Sequence, residues 1–269
     1  MQLSVVIITF NEEANIARTL QSVQPLVSDG KGEIIIIDSG STDCTVEIAK
    51  SFGAKVYVEE WKGFAAQKNS AIEKAAGDWI LSLDADEELS LDARSLVDLH
   101  LVTILSLFPD IDAIWLNRRN YFLGRWIRHG GFYPDPKLRF FRRDSGSFEN
   151  RAVHEDFRLR PGKKDFDLET QYDEFKDFHI IHHSYPTLSD YIEHMNRYSS
   201  LGAEMVVAKV PVRFSFINIV LRPMFAFLYN YFFRLGFLDG REGLLLHMYH
   251  AVYVSWKYAK AWELSRKPN

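Results

Sequence analysis

Strand-like and helix-like patterns of apolar residues alternate along the first part of the chain. Leu3–Thr9 and Glu33–Ile37 are runs of mostly β-branched aliphatic residues, which is typical of strands buried on both faces. The segments between such runs place apolar residues at helical spacing, with Asn11 available to cap the first of them. The predicted strands are Leu3–Thr9, Glu33–Ile37, Lys55–Val58 and Trp79–Leu83, and the predicted helices are Glu12–Val23, Thr45–Phe52 and Ala65–Ala76.

This alternation predicts an α/β fold with a mostly parallel central sheet flanked by helices, because right-handed crossovers cover both faces. Parallel sheets bind ligands beyond the carboxyl ends of their strands, and three polar clusters lie at such ends. The clusters are Thr9 with Asn11 and Glu12, then Asp38–Asp43, then Asp84–Glu88. The chain has no GxGxxG after the first strand and no GxxxxGK[ST], which argues against a dinucleotide-binding Rossmann domain and a P-loop NTPase.

Four carboxylates within five residues follow the fourth predicted strand, at Asp84, Asp86, Glu87 and Glu88. Clustered acid at the end of a buried strand is costly unless positive charge lies beside it, because like charges repel and burial penalises each ion. Mg²⁺ or Mn²⁺ that also holds phosphate oxygens needs only one or two protein carboxylates. The other interpretation is a solvated strand end before a helix N-terminus, whose dipole favours acidic residues.

Beyond the acidic cluster the pattern is less regular. Leu91–Leu107 predicts one or two helices, and Leu188–Lys209 predicts another. Ala113–Asn117 and Leu138–Arg142 have the composition and alternation of strands. The segment 120–148 between them is rich in glycine, proline, aromatic and basic residues, and long loops inside a compact domain are usually functional.

Charge and aromatic residues set the end of the chain apart. Residues 206–269 carry nine basic and three acidic residues, a balance of +6, whereas the remaining 205 residues carry 23 basic and 33 acidic ones, a balance of −10. The uncharged runs in this tail are well short of the about 20 residues that span a bilayer. Two interpretations remain: core helices that pack on the domain, or amphipathic helices that lie on an anionic membrane.

Bulk composition adds two constraints. With 47% apolar and 25% charged residues, the 269-residue chain is an ordinary globular protein that can bury a core. A lone cysteine, Cys44, excludes an internal disulfide framework and fits a reducing compartment. The N-terminus lacks the basic region and the cleavage site of a signal peptide, so it is expected to form a strand of the mature protein.

Several motifs together resemble the inverting glycosyltransferases of family 2, and in particular bacterial lipopolysaccharide-core β-glucosyltransferases. The family motifs are Ser4–Glu13, Asp38–Asp43 and Asp84–Glu87, and the motifs of the branch are Trp61–Asn69, Gly130–Asp135, Val153–Glu155 and Leu238–Gly243. The resemblance covers nearly the whole chain and implies a GT-A fold. It says little about which sugar is transferred.

The resemblance implies a nucleoside pocket at the sheet edge, in which Asp38 accepts a hydrogen bond from the uracil of a UDP-sugar. Asp38 and Asp43 can also be interpreted as helix caps. Gln67, Lys68 and Asn69 can also be interpreted as the polar start of a helix. The expected donor-binding residues are Thr9, Asn11 and Glu12 after the first strand, Asp38 and Asp43 after the second, Gln67, Lys68 and Asn69 at the start of a helix, and Asp84 and Ala85 in the acidic cluster.

The resemblance also implies a Mg²⁺ or Mn²⁺ ion held by Asp86, with Asp84 in support through the ribose or a water molecule. A further ligand could come from His179, His182 or His183, although an ordinary histidine cluster explains these residues too. Inverting transfer needs a general base for the acceptor hydroxyl. The branch pattern points to Glu155, Asp156 remains an alternative, and His154 would position the base.

The resulting hypothesis is a metal-dependent hexosyltransferase that moves a sugar, glucose being the first candidate, from a UDP-sugar to a lipid-anchored glycan such as lipopolysaccharide core. It predicts a GT-A catalytic domain over residues 1–209 and a helical membrane-associating extension over 210–269. The expected location is the cytoplasm, peripheral on the inner face of the membrane, with no nucleic-acid partner. The alternatives are a polyprenyl-phosphate glycosyltransferase, a nucleotidyltransferase and a non-catalytic sugar-binding module.

Overall fold

The computed structural model describes residues 2–90, 109–149, 156–167 and 178–266. Contacts divide the chain into two compact units, the first formed by Met1–Arg118 with Asp135–His182 and the second by Arg119–Pro134 with His183–Asn269. The predicted helical segment Leu91–Leu107 lies outside the described residues. The division at residues 209/210 between a catalytic domain and a membrane-associating extension stays a prediction.

The first unit contains the alternating strands and helices that the apolar pattern predicts. Every one of the seven elements predicted before residue 84 is present, with boundaries that differ by at most four residues. The strands are β1 (Leu3–Thr9), β2 (Gly32–Asp38), β3 (Lys55–Val58) and β4 (Trp79–Asp84), and the helices are α1 (Ile16–Val27), α2 (Thr45–Ser51) and α3 (Phe64–Lys74). Gly53 follows α2 with a φ of 76°, as expected of a helix-ending glycine.

The strands β3, β2, β1 and β4 pair in that order and are all parallel. Alternate residues of β1 point to opposite faces of the sheet, so Val5 and Ile7 pack in the core cluster that holds α1 residues, and Val6 and Ile8 pack in the one that holds α3 residues. Burial on both faces explains why these strands read as continuous apolar runs.

Later strands complete a mixed sheet in which β4 is followed in space by β8, β6, β12 and β5. β8 pairs antiparallel with both β4 and β6, and β12 pairs antiparallel with β5. The additional strands are β5 (Glu87–Leu89), β6 (Ala113–Phe122), β7 (Arg125–Trp126), β8 (Pro136–Arg142), β9 (Gly146–Phe148), β10 (Phe157–Leu159), β11 (Asp165–Asp167) and β12 (His179–Tyr185). The parallel order that the sequence predicts therefore describes the half of the sheet built before residue 85.

The register brings the carboxyl ends of three strands to one edge. Thr9 of β1 is opposite Asp38 of β2, and Ile8 of β1 is opposite Asp84 of β4. Three polar clusters that are far apart in the sequence therefore share this edge, as the sequence predicts for parallel strands.

The second unit is mainly helical. The long helices α4 (Leu188–Val207) and α6 (Gly240–Leu264) pack against each other, and α4 begins at a capping box formed by Thr187 and Asp190. Between them runs one continuous helical stretch. It is π-helical over Ile217–Leu221, α-helical over α5 (Arg222–Leu228) and π-helical again over Tyr229–Phe233. Within the described chain, no helix combines the length and the hydrophobicity needed to cross a bilayer.

Candidate active site

The sheet edge begins with a buried contact between β1 and β2. Thr9 Oγ1 donates a hydrogen bond of 2.8 Å to Asp38 Oδ2, and Asp38 is only 1% exposed. The same carboxylate accepts hydrogen bonds from the amides of Gly40 and Ser41 and from the Ser41 hydroxyl. Asp38 thus shapes the loop after β2 in this structure, and a uracil N–H would have to share or replace one of these donors.

Asn11 and Asp43 connect the loop after β1 to the loop after β2. The Asn11 amide donates to Ser41 Oγ, and Asn11 Oδ1 accepts from the Thr42 amide, both at 2.8 Å. Asp43 accepts hydrogen bonds from the Glu13 and Thr45 amides and from the Thr45 hydroxyl. This pattern agrees with the helix-capping interpretation of Asp43, because its acceptors bind the turn that leads into α2.

Glu12 lies between these two loops and starts the approach to α1. Its amide donates to Thr45 Oγ1 at 2.7 Å, and its carboxylate accepts from Asn15 Nδ2 at 2.8 Å. Burial raises the pKa of Glu12; the Asn15 hydrogen bond opposes this shift, and the charges of Asp86, Asp43 and Asp84 reinforce it. The contribution of these charges to the pKa of Glu12 agrees with its position at the same sheet edge as the acidic cluster.

The polar triplet at the start of α3 serves three different purposes. Gln67 is fully buried and donates to Ser39 Oγ, while its Oε1 has no hydrogen-bond partner among the described residues. Lys68 is 2% exposed and forms an ion pair with Asp84. Asn69 exchanges both of its side-chain hydrogen bonds with the backbone of Phe148, which agrees with a structural role for its amide.

Asp84 ends β4 between two buried cations. Its Oδ1 lies 2.7 Å from Lys68 Nζ, and its Oδ2 lies 2.7 Å from Arg139 Nη2. Burial would raise the pKa of Asp84, but the charges of Arg139 and Lys68 outweigh it and hold that pKa far below its ordinary value. The positive charge that a carboxylate cluster requires is therefore supplied at Asp84 by the chain itself.

Glu87 is the centre of a second group of ion pairs that the sequence reasoning missed. It is fully buried, and its Oε1 accepts from Arg118 at 3.1 Å and from Arg139 at 3.2 Å. Its Oε2 accepts from the Asp84 amide, and Arg118 also contacts Asp135. The available signal was alternation, because Glu87 occupies the inward position between the buried Ala85 and Leu89.

Asp86 points to a different partner from that of Asp84. Its Oδ2 lies 3.1 Å from His182 Nε2, which comes from β12. Burial would raise the pKa of Asp86, and the contact with His182 outweighs that effect, so the pKa is lowered overall. His182, one of the three histidines proposed as a further metal ligand, therefore contacts the acidic cluster.

The residues present can be tested against a divalent cation. In the described part of the chain there is no group of three or more His, Cys, Asp or Glu side chains arranged to hold a metal ion. Asp86 and His182 do offer a carboxylate and an imidazole within 3.1 Å of each other. Mg²⁺ and Mn²⁺ accept such a small protein donor set when substrate phosphates and water complete the coordination. The pair therefore fits a cation shared with a diphosphate, whereas the two carboxylate oxygens of Asp84 lie 2.7 Å from Lys68 and Arg139.

The remaining predicted residues are less informative. Ala85 is 4% exposed, and its carbonyl accepts a hydrogen bond of 2.6 Å from Thr19 Oγ1, which fixes the turn after β4. His154 and Glu155, the positioning and base candidates, lie outside the described residues. Asp156, the alternative base, is exposed, and its carbonyl accepts from the Glu149 amide at 3.1 Å. The choice between Glu155 and Asp156 stays open.

Comparison with known proteins points to one family. The model of the family described as "Glycosyl transferase family 2" matches residues 4–145. An uncharacterized glycosyltransferase of Rickettsia typhi is 30% identical, over 99% of this chain and 88% of that protein. The lipopolysaccharide core biosynthesis glycosyltransferase LpsC of Rhizobium meliloti is 28% identical, over 100% of this chain and 96% of that protein.

Among solved structures, this chain is similar to S. aureus TarS 1–349, which was crystallised in complex with UDP. The two are 15% identical, the likeness covers 97% of this chain and 90% of that one, and the TM-score is 0.49.

Proposed function

Because this chain belongs to glycosyl transferase family 2, we propose that it transfers glucose from UDP-glucose, with inversion, to a lipid-anchored glycan. Glycosyl transfer as the reaction class and the GT-A fold follow from the family. Lipopolysaccharide core as the acceptor is supported by the likeness to LpsC along the whole chain. The donor sugar, the acceptor and the metal dependence are our proposals.

The observation that carries the proposal is the pairing of Asp86 with His182 beside an already neutralised Asp84. Asp86 and His182 would hold Mg²⁺ or Mn²⁺ at the carboxyl end of β4. Such an ion supplies positive charge that stabilises the departing UDP. Lys68 and Arg139 hold Asp84 in place, so this carboxylate is preorganised to accept a hydrogen bond from the donor.

Donor recognition is assigned to the loops after β1 and β2 and to the start of α3. Asp38, supported by Thr9, faces the nucleoside, and the Asn11 and Asp43 contacts fix the two loops that border it. Gln67 adds a buried carbonyl oxygen with no hydrogen-bond partner in the described chain. Buried and mutually bonded side chains lose little conformational entropy when the nucleotide binds, which favours recognition.

The acceptor hydroxyl needs a base as its oxygen attacks the anomeric carbon. We assign this role to Glu155, with Asp156 as the alternative and His154 as the residue that positions the base. Replacing Glu155 with Gln should lower kcat about 10²–10⁴-fold, while Asp156→Asn leaves kcat within a few fold. The reverse pattern would move the assignment to Asp156. Little effect of either change would favour a phosphate acceptor, such as a polyprenyl phosphate.

The second unit supports peripheral binding to the inner face of the cytoplasmic membrane. Phe233 is 77% exposed, Phe225 66% and Ile217 63%, although each is a large apolar side chain. No acidic residue occurs between Glu204 and Asp239, whereas four basic residues do. An apolar surface with cations among its residues matches an anionic lipid surface, on which a lipid-anchored acceptor would be found.

The metal assignment can be tested without knowledge of the acceptor. UDP binding is measured by calorimetry with and without Mn²⁺ for the wild type, for Asp86→Asn and for Asp78→Asn. Asp78 is an exposed aspartate at the other end of β4, so its replacement is a matched control. We expect Mn²⁺ to tighten UDP binding about tenfold or more in the wild type and in Asp78→Asn, and to have no effect in Asp86→Asn. Equal UDP affinity with and without Mn²⁺ in the wild type would refute metal dependence.

A further inference from the structure

Trp126, in the segment 125–131 of the second unit, contacts two arginine side chains. The Arg128 guanidinium carbon lies 4.5 Å from the centre of the Trp126 ring, and that of Arg119 lies 4.3 Å from the same ring. Stacking on an aromatic ring restricts a long side chain and orients its fork of N–H donors. Trp126 therefore brings two positive charges together.

A buried carboxylate anchors the backbone beside Arg128. Asp239 is 1% exposed and accepts hydrogen bonds from the amides of Arg128 and His129, and its Oδ1 lies 2.9 Å from His129 Nδ1. Both carboxylate oxygens of Asp239 are thus engaged by the backbone of Arg128 and by His129. The nearest buried acid thus fixes the loop and forms no ion pair with the Arg128 guanidinium.

Arg234 approaches the same loop from the end of the helical stretch. Its carbonyl accepts a hydrogen bond of 2.8 Å from the Gly130 amide, and its guanidinium occupies the space where a side chain at Gly131 would lie. A Cβ at Gly131 would be 2.1 Å from Arg234 Nη1, and the φ of Gly131 is 89°. Glycine at this position therefore allows the Arg234 guanidinium to lie against the backbone.

Arg128 and Arg234 are both exposed, and within the described residues neither has an ion-pair partner. The neighbouring Arg125 lies 3.8 Å from Glu242, so it is at least partly balanced. The Arg128 and Arg234 guanidinium groups both lie against the segment 125–131, Arg128 on the Trp126 ring and Arg234 beside Gly131. An anion that contacts both groups would balance their like charges. Phosphate, like carboxylate, matches the guanidinium fork in geometry, and it carries enough charge to balance two arginines.

We propose that Arg128 and Arg234 bind a phosphoryl group, carried either by the acceptor glycan or by a phospholipid headgroup. Arg234 directly follows the exposed apolar residues Phe232 and Phe233, as suits a charge that meets phosphate at a lipid surface. Phosphoryl binding at this site is independent of the donor. Loss of phosphate binding would therefore leave glycosyl transfer as proposed, and loss of glycosyl transfer would leave phosphate binding as proposed.

The test uses the full chain and two probes, inorganic phosphate and phosphatidylcholine vesicles with or without phosphatidylglycerol. The variants are Arg128→Gln, Arg234→Gln and, as a control, Arg213→Gln. Arg213 is an exposed arginine of the same unit, so its replacement removes the same charge elsewhere. We expect phosphate affinity to fall about tenfold in the first two variants and to stay unchanged in the control. Thermal unfolding of each variant separates loss of the site from loss of the fold.

The two probes distinguish the sources of the phosphoryl group. Weaker binding of phosphate alone assigns the site to an acceptor phosphate, and weaker binding also of phosphatidylglycerol vesicles, beyond that of Arg213→Gln, assigns it to a headgroup. The proposal is overturned if all three variants behave alike, because binding would then follow only net charge. It is also overturned if Arg128→Lys and Arg234→Lys bind phosphate as the wild type does, since the guanidinium fork would then be irrelevant.

Discussion

The two units each contain a cluster of charged residues, and the two clusters differ in how their charge is balanced. In the first unit Asp84, Glu87 and Asp86 each have a partner, and the partners Lys68 and Arg139 are themselves buried. In the second unit the Arg128 and Arg234 guanidinium groups are exposed and have no ion-pair partner in the described chain. Charge that is balanced internally holds a site in shape, whereas exposed charge without an ion-pair partner is available to bind an anion from outside.

The apolar residues show the same contrast. Phe141 of β8 is fully buried, and aromatic side chains of the first unit stack on one another, as Phe141 does on Phe157 with 3.7 Å between ring centres. In the second unit, Phe225 and Phe233 are 66% and 77% exposed. An exposed patch of large apolar residues is the usual mark of an interaction surface, so the second unit resembles a binding surface and the first a closed core.

The largest expected effect would come from breaking the balance in the first unit. Within the described chain, Glu87→Ala removes one carboxylate contact from Arg118 and one from Arg139, inside a buried environment. Breaking a buried ion pair of this kind costs about 3–5 kcal/mol of unfolding free energy. Urea unfolding measures the loss, and Glu60→Ala, a change at an exposed glutamate of the same unit, should stay within about 0.5 kcal/mol. An equal effect of the two changes would contradict the structural role of Glu87.

The role of Glu87 also shows where sequence reasoning reaches its limit. The strands of the parallel half of the sheet can be predicted from local sequence patterns. A strand buried on both faces, such as β1 or β2, consists of consecutive aliphatic residues. The shared edge of Thr9, Asp38 and Asp84 follows from the parallel topology. These features depend on periodicity and on chain direction, and both are visible in the sequence.

The partners of the acidic cluster were beyond that reasoning. Asp84 forms ion pairs with Lys68 of α3 and Arg139 of β8, and Asp86 contacts His182 of β12. In each contact the partner comes from a different element of the fold. Sequence patterning indicates the face that a side chain occupies, but it does not say which distant strand or helix packs beside that face. The acidic cluster predicts positive charge beside it, and its sequence points to a metal ion as the source. The structure shows that the chain itself supplies this charge, through Lys68 and Arg139.

The second prediction concerns the exposed apolar surface. Phe233→Ser removes an aromatic side chain that is 77% exposed, so unfolding free energy should change by less than about 0.5 kcal/mol. If this side chain enters the lipid interface, its loss should weaken binding to phosphatidylglycerol vesicles by about 1.5–3 kcal/mol, or roughly 10–100-fold. Sedimentation with vesicles measures the change, and Val58→Ser, at a 66% exposed residue of the first unit, is the matched control. Equal losses in both variants would remove the distinction between the two surfaces.

The third prediction tests the nucleoside edge of the first unit. Asp38→Asn replaces one carboxylate oxygen with an NH2 group that cannot accept. The variant therefore loses the acceptor either of the Gly40 and Ser41 amides at Oδ1 or of the Thr9 and Ser41 hydroxyls at Oδ2. Leaving a buried hydrogen-bonding group unsatisfied costs about 1–3 kcal/mol, so urea unfolding should detect the loss even without nucleotide. The exposed Asp29→Asn is the control. If stability is unchanged and only UDP affinity falls, Asp38 acts on the ligand and its contacts within the loop matter little.

The smallest effect is expected from a charge cluster at the surface of the first unit. Hydrogen bonds from Lys74 and Ser70 lower the pKa of Glu59 to about 2, against an ordinary value of 4.5. Because the folded-state pKa is depressed, the stabilisation is complete above about pH 4.5 and is lost as the pH falls through about 2. Since Lys62 is 56% exposed and solvent screens the pairs, Glu59→Gln should cost only about 1 kcal/mol at pH 7. The difference between wild type and variant in urea unfolding should shrink towards about pH 3; a difference that is constant with pH would mean that packing, and not charge, makes Glu59 stabilising.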